Sequence, residues 1–147
     1  MPTLAINKKA RYDYTIMDTM EAGIQLTGAE VKSVRGGRLN LAGSRVVITR
    51  GEAYLLGAQI AAYSQAGAQP GYDPQRTRRL LLHMREIRKL VGKLEEAGLT
   101  VVPLSAYTKG PHIKVEIAIA RGKKEYEKRD VIKKREAARE ARHSMMR

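Results

Sequence analysis

A mainly β fold, a small antiparallel barrel with one main helix seated over an opening, is what the sequence predicts. Three observations carry it. Six or seven short apolar runs are separated by frequent turn residues, the spacing of a small barrel or sandwich. One run alternates cleanly: Ile113, Val115, Ile117 and Ile119 face one side, with Lys114 and Glu116 opposite. A single amphipathic stripe, Met84, Ile87, Leu90, Val91 and Leu94, needs a matching apolar surface, which the end of a barrel offers.

Residues 1–9 are expected to be a flexible leader. "RYDYTI" alternates, with Tyr12, Tyr14 and Ile16 on one face of a strand that restarts after Gly23 and stops near Gly28. "AEVKSVR" predicts a two-turn helix stopped by Gly36 and Gly37, with Val31 and Val34 inward and Lys32 and Arg35 displayed. "RVVIT" and "EAYLL" are two strands around a tight Arg50-Gly51 turn, the second running on or bending at Gly57. Residues 64–75 form a loop with a turn signal at Asp73-Pro74. Leu80 to Leu82 make a short buried strand. The helix runs from about Met84 to Ala97, and Gly98 stops it. Its outer face, Arg85, Arg88, Lys89 and Lys93, reads as solvated. "LTVV" and "PLSAY" form a strand interrupted at Pro103, and Lys109-Gly110-Pro111 turns into the alternating strand. No internal repeat is visible.

The 147 residues suit one domain with an appendage, and the net charge is +13. Such an excess repels itself unless a polyanion offsets it. Nucleic acid is the first candidate partner and an anionic membrane surface the second. The chain has no cysteine, which excludes disulfides, thiolate metal sites and a cysteine nucleophile, and fits a reducing cytosol. No apolar run approaches the roughly 20 residues of a spanning helix, so a soluble, intracellular protein is expected.

Enzyme chemistry has no visible home. His83, His112 and His143 are far apart and lack metal-ligand spacing. No phosphate-cradling glycine loop, G-x-S-x-G serine or paired carboxylates are present. Binding chemistry is visible. Arg76, Arg78 and Arg79 crowd together after a turn, and guanidinium groups bond phosphate in pairs. Lys114 is fixed on an ordered strand. Tyr12 and Tyr14 offer rings for stacking, although packing is the simpler role for at least one. Residues 121–147 hold 11 of the 28 basic and 5 of the 15 acidic residues. This tail suits a helix in composition but has almost no branched apolar residues besides Val131 and Ile132. It is expected to be disordered alone and to fold against phosphates.

Seven motifs stand in order: "NKKARYDY", "EAGIQLTGAEVKSVRGGRLNL", "GEAYL", "DPQRTRRLLLH", "GLTVVPLSAY", "KVEIAIARGKK" and "YEKRDVIKKR". Together they make the chain resemble the small protein B (SmpB) family, from about Asn7 into the tail. The resemblance implies an oligonucleotide-binding (OB) type barrel over residues 10–121, mainly β, with one main helix and one short helix. A basic tail over 122–147 follows, disordered alone and helical when bound. It also implies a binding protein, not an enzyme, with no cofactor and no metal.

The partners it implies are transfer-messenger RNA and the ribosome, at the small-subunit decoding centre and the mRNA channel. Through the RNA it implies elongation factor Tu and alanyl-tRNA synthetase. It implies a cytoplasmic monomer without membrane association. Glu21, Leu81 and Lys114 match the family's RNA-contact positions, although Leu81, read from its neighbours alone, belongs to the core. Lys32, Arg35, Arg76, Arg78 and Arg79 are further candidates for that surface. Tyr12 matches a decoding-centre position that is often His. Gly122 is expected as a hinge. Lys123, Lys124, Glu127, Lys128, Arg129, Ile132, Lys133, Lys134 and Arg135 match the working tail, with Glu127 where Asp is usual. A structural ribosomal RNA-binding protein is the alternative of a different class.

Overall fold

The computed structural model describes residues 2–67 and 69–145. In chain order its elements are β1 (Thr3–Ile6), α1 (Lys8–Asp13), β2 (Tyr14–Ile24), α2 (Gly28–Arg35), β3 (Leu39–Asn40), β4 (Arg45–Thr49), β5 (Glu52–Leu56) and β6 (Gln59–Ile60). After a 3-10 turn at Ser64–Ala66 come β7 (Arg78–Leu81), α3 (Met84–Leu94), β8 (Leu99–Lys109), β9 (His112–Gly122) and α4 (Glu125–Met145).

Seven strands form one antiparallel sheet in the order β1-β8-β9-β2-β7-β5-β4, and β3 pairs with β6 separately. β4 returns against β8, and α3 lies across both. The sheet is thus curled, with the helix over its opening as the apolar stripe predicts. Leu90 of α3 joins Val46, Leu55, Leu80, Val101, Val115 and Ile117 in the main core. The stripe is narrower than its spacing suggests, because Met84 and Val91 stay exposed while Ile87 and Leu90 are buried. The helix also ends earlier, at Leu94, and Gly98 instead serves the turn before β8 with a φ of 80°. The β4–β5 turn is as expected. Arg50 and Gly51 both have positive φ, 53° and 75°, the backbone of a two-residue hairpin whose twist suits its strands.

Five expectations are corrected. The leader is not free: β1 pairs with β8, Ala5 opposite Ala106. Asn7 explains it. Its buried side chain donates to Pro103 O at 2.8 Å and Leu41 O at 3.2 Å, and accepts from Ala10 N at 3.1 Å. That last bond caps α1, so Tyr12 is helical and the strand starts only at Tyr14. Nor does β2 restart after Gly23. It is continuous, with an irregularity between Ile16 and Asp18. Pro103 does not interrupt β8 either. The chain absorbs the missing N–H with a bulge between Pro103 and Ser105. β9 buries both faces where the alternation predicts one, because Ala118 and Ala120 pack with Ala10 and Leu104 under α1.

α2 begins with a capping box. Thr27 Oγ1 accepts from Glu30 N at 3.2 Å, and Glu30 Oε1 accepts from Thr27 N at 3.0 Å. The Glu30 carboxylate, 1% exposed, also receives Arg78 Nη2 at 2.7 Å and Nε at 3.0 Å. Arg76 Nε donates to it at 3.1 Å, and Arg76 Nη2 is paired with it as well. Arg78, 0% exposed, donates onward to Ala58 O at 2.8 Å. Tyr72 donates to Ile60 O at 2.8 Å beside this cluster. Burial alone would raise the Glu30 pKa. Bonds from Arg76, Thr27 N and Arg78 outweigh it and hold the group at about 2.

Breaking a buried pair from one side leaves the other charge stranded, at about 3–5 kcal/mol. Glu30→Gln should lose roughly that much in urea unfolding at neutral pH. The folded-state pKa lies below the ordinary 4.5. The stabilisation is therefore complete above 4.5 and is lost as pH falls toward 2. The gap between parent and variant should close over that window. A gap that stays constant would contradict the charged state assigned to Glu30.

Candidate nucleic-acid interface

Antiparallel register places four residues of four neighbouring strands in one row. Leu81 of β7 stands opposite Gly23 of β2, Gly23 opposite Lys114 of β9, and Lys114 opposite Tyr107 of β8. Gly23 is the low point. A Cβ there would stand 3.2 Å from Leu81 Cβ and 3.6 Å from Lys114 Nζ, so a side chain at this position would crowd Leu81. Leu81 is 50% exposed, which corrects the core reading of "LLL": Leu80 points in, Leu81 out. A half-exposed leucine beside an ammonium is an apolar plate next to a cation.

Glu21 lies two residues before Gly23 and shares its face. Its carboxylate accepts a short bond from Tyr107 Oη and one from Lys109 Nζ at 3.2 Å. The Tyr107 bond, then the Lys109 bond, hold its pKa below the ordinary range. Burial and the Glu21 carboxylate push the Tyr107 phenol well up, so it stays a donor. Glu21 is thus charged and oriented, with acceptor capacity left for an amino group or hydroxyl. Glu21, Leu81 and Lys114 border an open groove of about 550 Å³, with His83 and Glu86 on its far side.

Along β7 the same face continues to Arg79, opposite Tyr54 of β5 and 3.2 Å from Glu52. Arg79 is therefore on the expected surface. Arg78 is not: it points the other way, is fully buried, and serves Glu30. Arg76, 35% exposed, is also committed to Glu30. Lys32 and Arg35 sit on α2, off the row. Lys32 Nζ lies 5.7 Å over the Tyr63 ring, and Arg35 Nη2 donates to Pro111 O at 3.0 Å.

A second set gathers at the root of the tail. Gly122, expected as a hinge, is the last residue of β9 and pairs with Tyr14, and the chain turns at Lys123 and Lys124. Lys123 N donates to Asp13 O at 2.8 Å, and its Nζ to Arg11 O at 2.9 Å. The tail expected to be disordered alone is here one helix, α4, as its Ala, Glu, Lys and Arg content allows. Lys128 Nζ is 3.5 Å from Asp13 Oδ1 and 5.8 Å from the Tyr12 ring, with Arg135 at 5.9 Å. Lys128 and Arg135 thus meet over Tyr12, and Lys123 binds the α1 backbone on either side of it. Lys124, Arg129, Ile132, Lys133 and Lys134 are exposed, and Glu127 is half-buried. Among the described residues no group of His, Asp or Glu could hold a metal, and no helix is long and apolar enough to cross a membrane.

Sequence reasoning missed Gly23, Tyr107, Lys109 and Glu30. A glycine inside a strand is a signal of close approach, and T-x-x-E at 27–30 signals a capping box. The partners of Glu30 and Glu21, 42 to 88 residues away in the chain, carry no local signal.

A family model described as SmpB protein matches residues 4–147. An SsrA-binding protein of Roseiflexus sp. (strain RS-1) is 53% identical, over 93% of this chain and 87% of that protein. An SsrA-binding protein of Gloeothece citriformis (strain PCC 7424) is 48% identical, over 96% and 91%. A chain of the solved structure "tmRNA-SmpB: a journey to the center of the bacterial ribosome" is 46% identical with a TM-score of 0.70, over 85% of this chain and 87% of that one.

The Glu21 geometry is testable in the free protein. Tyr107→Phe removes the leading bond that lowers the Glu21 pKa. A carboxyl carbon NMR titration should show that pKa rising toward the ordinary 4.5 while the fold persists. An unchanged value would mean that the phenol does not hold the carboxylate.

Proposed function

The chain belongs to the SmpB family, and on that premise we propose that it binds transfer-messenger RNA and brings it to stalled ribosomes in trans-translation. It grips the tRNA-like part of that RNA with the β7–β2–β9 face. The row Leu81, Gly23, Lys114 is the observation that carries this reading. Lys114 supplies a fixed cation for a phosphate, Leu81 an apolar plate for a base, and Glu21 an acceptor for base amino groups or 2′-hydroxyls. Arg79 extends the surface along β7.

The body stands in for an anticodon stem, and the tail occupies the empty mRNA channel beyond the decoding centre. Tyr12 lies where body and tail meet, which suits a ring that stacks on ribosomal RNA. A tyrosine there cannot act by imidazole protonation. The exposed Lys124, Arg129, Lys133 and Lys134 suit phosphate contacts along the channel. Elongation factor Tu and alanyl-tRNA synthetase join through the RNA, not through this chain. Binding and positioning are the whole of the activity, in the cytoplasm, by a monomer and without cofactor.

Truncation after Gly122 should leave binding to the tRNA-like RNA nearly intact and abolish peptide tagging on stalled ribosomes. Lys114→Ala should do the reverse to binding: weaker at all salt concentrations, with the salt-dependence slope smaller by about one unit. Loss of RNA binding on truncation would refute this division of labour. Stoichiometric co-purification with all ribosomes would favour a structural ribosomal protein instead.

A further inference from the structure

Behind the Gly23 ridge, away from the wider groove, lies a smaller hollow of about 170 Å³. Its floor is apolar, made by Ile24, Leu26, Val31 and Ile113 over the small core cluster that holds Val34 and Ile60. Three elements wall it: the start of α2, Leu81 of β7, and the β8–β9 turn at Pro111. The bond from Arg35 to Pro111 O ties that turn to α2, so the walls keep their spacing. His112 and Lys114 stand at the rim.

We propose that this hollow receives one unpaired nucleobase of the bound RNA, with its phosphate at Lys114. The inference rests on the reading of the ridge as the RNA face. Bases splayed from RNA loops need apolar surface for their faces and a cation for their backbone. The hollow offers the first and its rim the second. Gly23 keeps the ridge low between the two depressions, because any side chain there would meet Leu81 and Lys114. A nucleotide can therefore lie across it, base in the hollow and backbone in the wider groove. An apolar side chain of a partner protein would use the floor but not the Lys114 ammonium. The net charge of +13 also favours a polyanion.

Val31→Phe in the full chain fills the hollow from α2. Its affinity for the tRNA-like RNA should fall about 10- to 100-fold, the range for losing one stacked base, with the thermal midpoint retained. Val31→Ala, which leaves the space open, should weaken binding far less. A second measurement uses the parent protein: 2-aminopurine is placed singly at unpaired loop positions of the RNA. One position should change its fluorescence sharply on binding, and that change should vanish with Val31→Phe. A uniform response at every position would overturn the proposal even if the variant failed to fold. If Lys114→Ala weakens binding and Val31→Phe does not, the hollow takes no base and the ridge reading survives. If neither weakens it, both fail. If Val31→Phe spares RNA binding but blocks ribosome engagement, the occupant is a ribosomal component and this proposal is wrong.

Discussion

One buried carboxylate ties α2 to the β7 edge of the sheet face that bears Leu81, Gly23 and Lys114. Glu30 begins on α2 and receives Arg76 and Arg78 from the other side of a long loop. β7 is four residues long and pairs with β2 at Gly23–Leu81 and Ile24–Leu80 and with β5 at Ala53–Leu80, Tyr54–Arg79 and Leu55–Arg78, and the Glu30 cluster adds a side-chain anchor at its start. A slip of one residue would turn Leu81 into the core and Leu80 out to solvent. Arg78, locked to Glu30 and to Ala58 O, fixes where β7 starts and so which leucine is displayed. Arginine that looks like a ligand for phosphate thus has an internal partner and holds the strand that displays Leu81.

From that anchor the face follows. A glycine at the centre of a five-strand neighbourhood lets a leucine and a lysine approach each other, and a glutamate two residues back is held charged by a phenol. The surface mixes an apolar plate, a cation and an oriented acceptor. Such a set differs from a uniformly basic patch, which attracts any polyanion and distinguishes none. Most of the cations on this side are already committed: Arg76 to Glu30, Arg79 to Glu52, Lys109 to Glu21. Lys114, by contrast, lines the groove beside Leu81 and Glu21.

Periodicity made much of the fold legible. β9, the β4–β5 hairpin and α3 follow from alternation, a two-residue turn and an apolar stripe, because each is a local pattern. The failures share a cause. Asn7, a polar residue in an apparent leader, ties β1 and α1 to the body through Leu41 and Pro103, partners no window on the sequence contains. "RYDYTI" alternates, yet the cap supplied by Asn7 wins Tyr12 for a helix. "LLL" cannot say which leucine faces out, since that depends on register fixed by Glu30. At the site, the family resemblance pointed to Glu21, Leu81 and Lys114, and the sheet brings them together. It did not separate Arg79, which is on the surface, from Arg78, which is under it.

Body and tail are physically different devices. The sheet face offers a few oriented groups. α4 is a basic helix whose Lys128 meets Asp13 and Tyr12 and whose Arg135 lies over the Tyr12 ring. Backbone amide hydrogen exchange on the full chain, with and without the tRNA-like RNA, tests that division most directly. The account predicts new protection around residues 21–24, 79–81 and 112–114, with the far half of α4 unchanged. Protection confined to α1 and α4, with those strand segments unaffected, would contradict it.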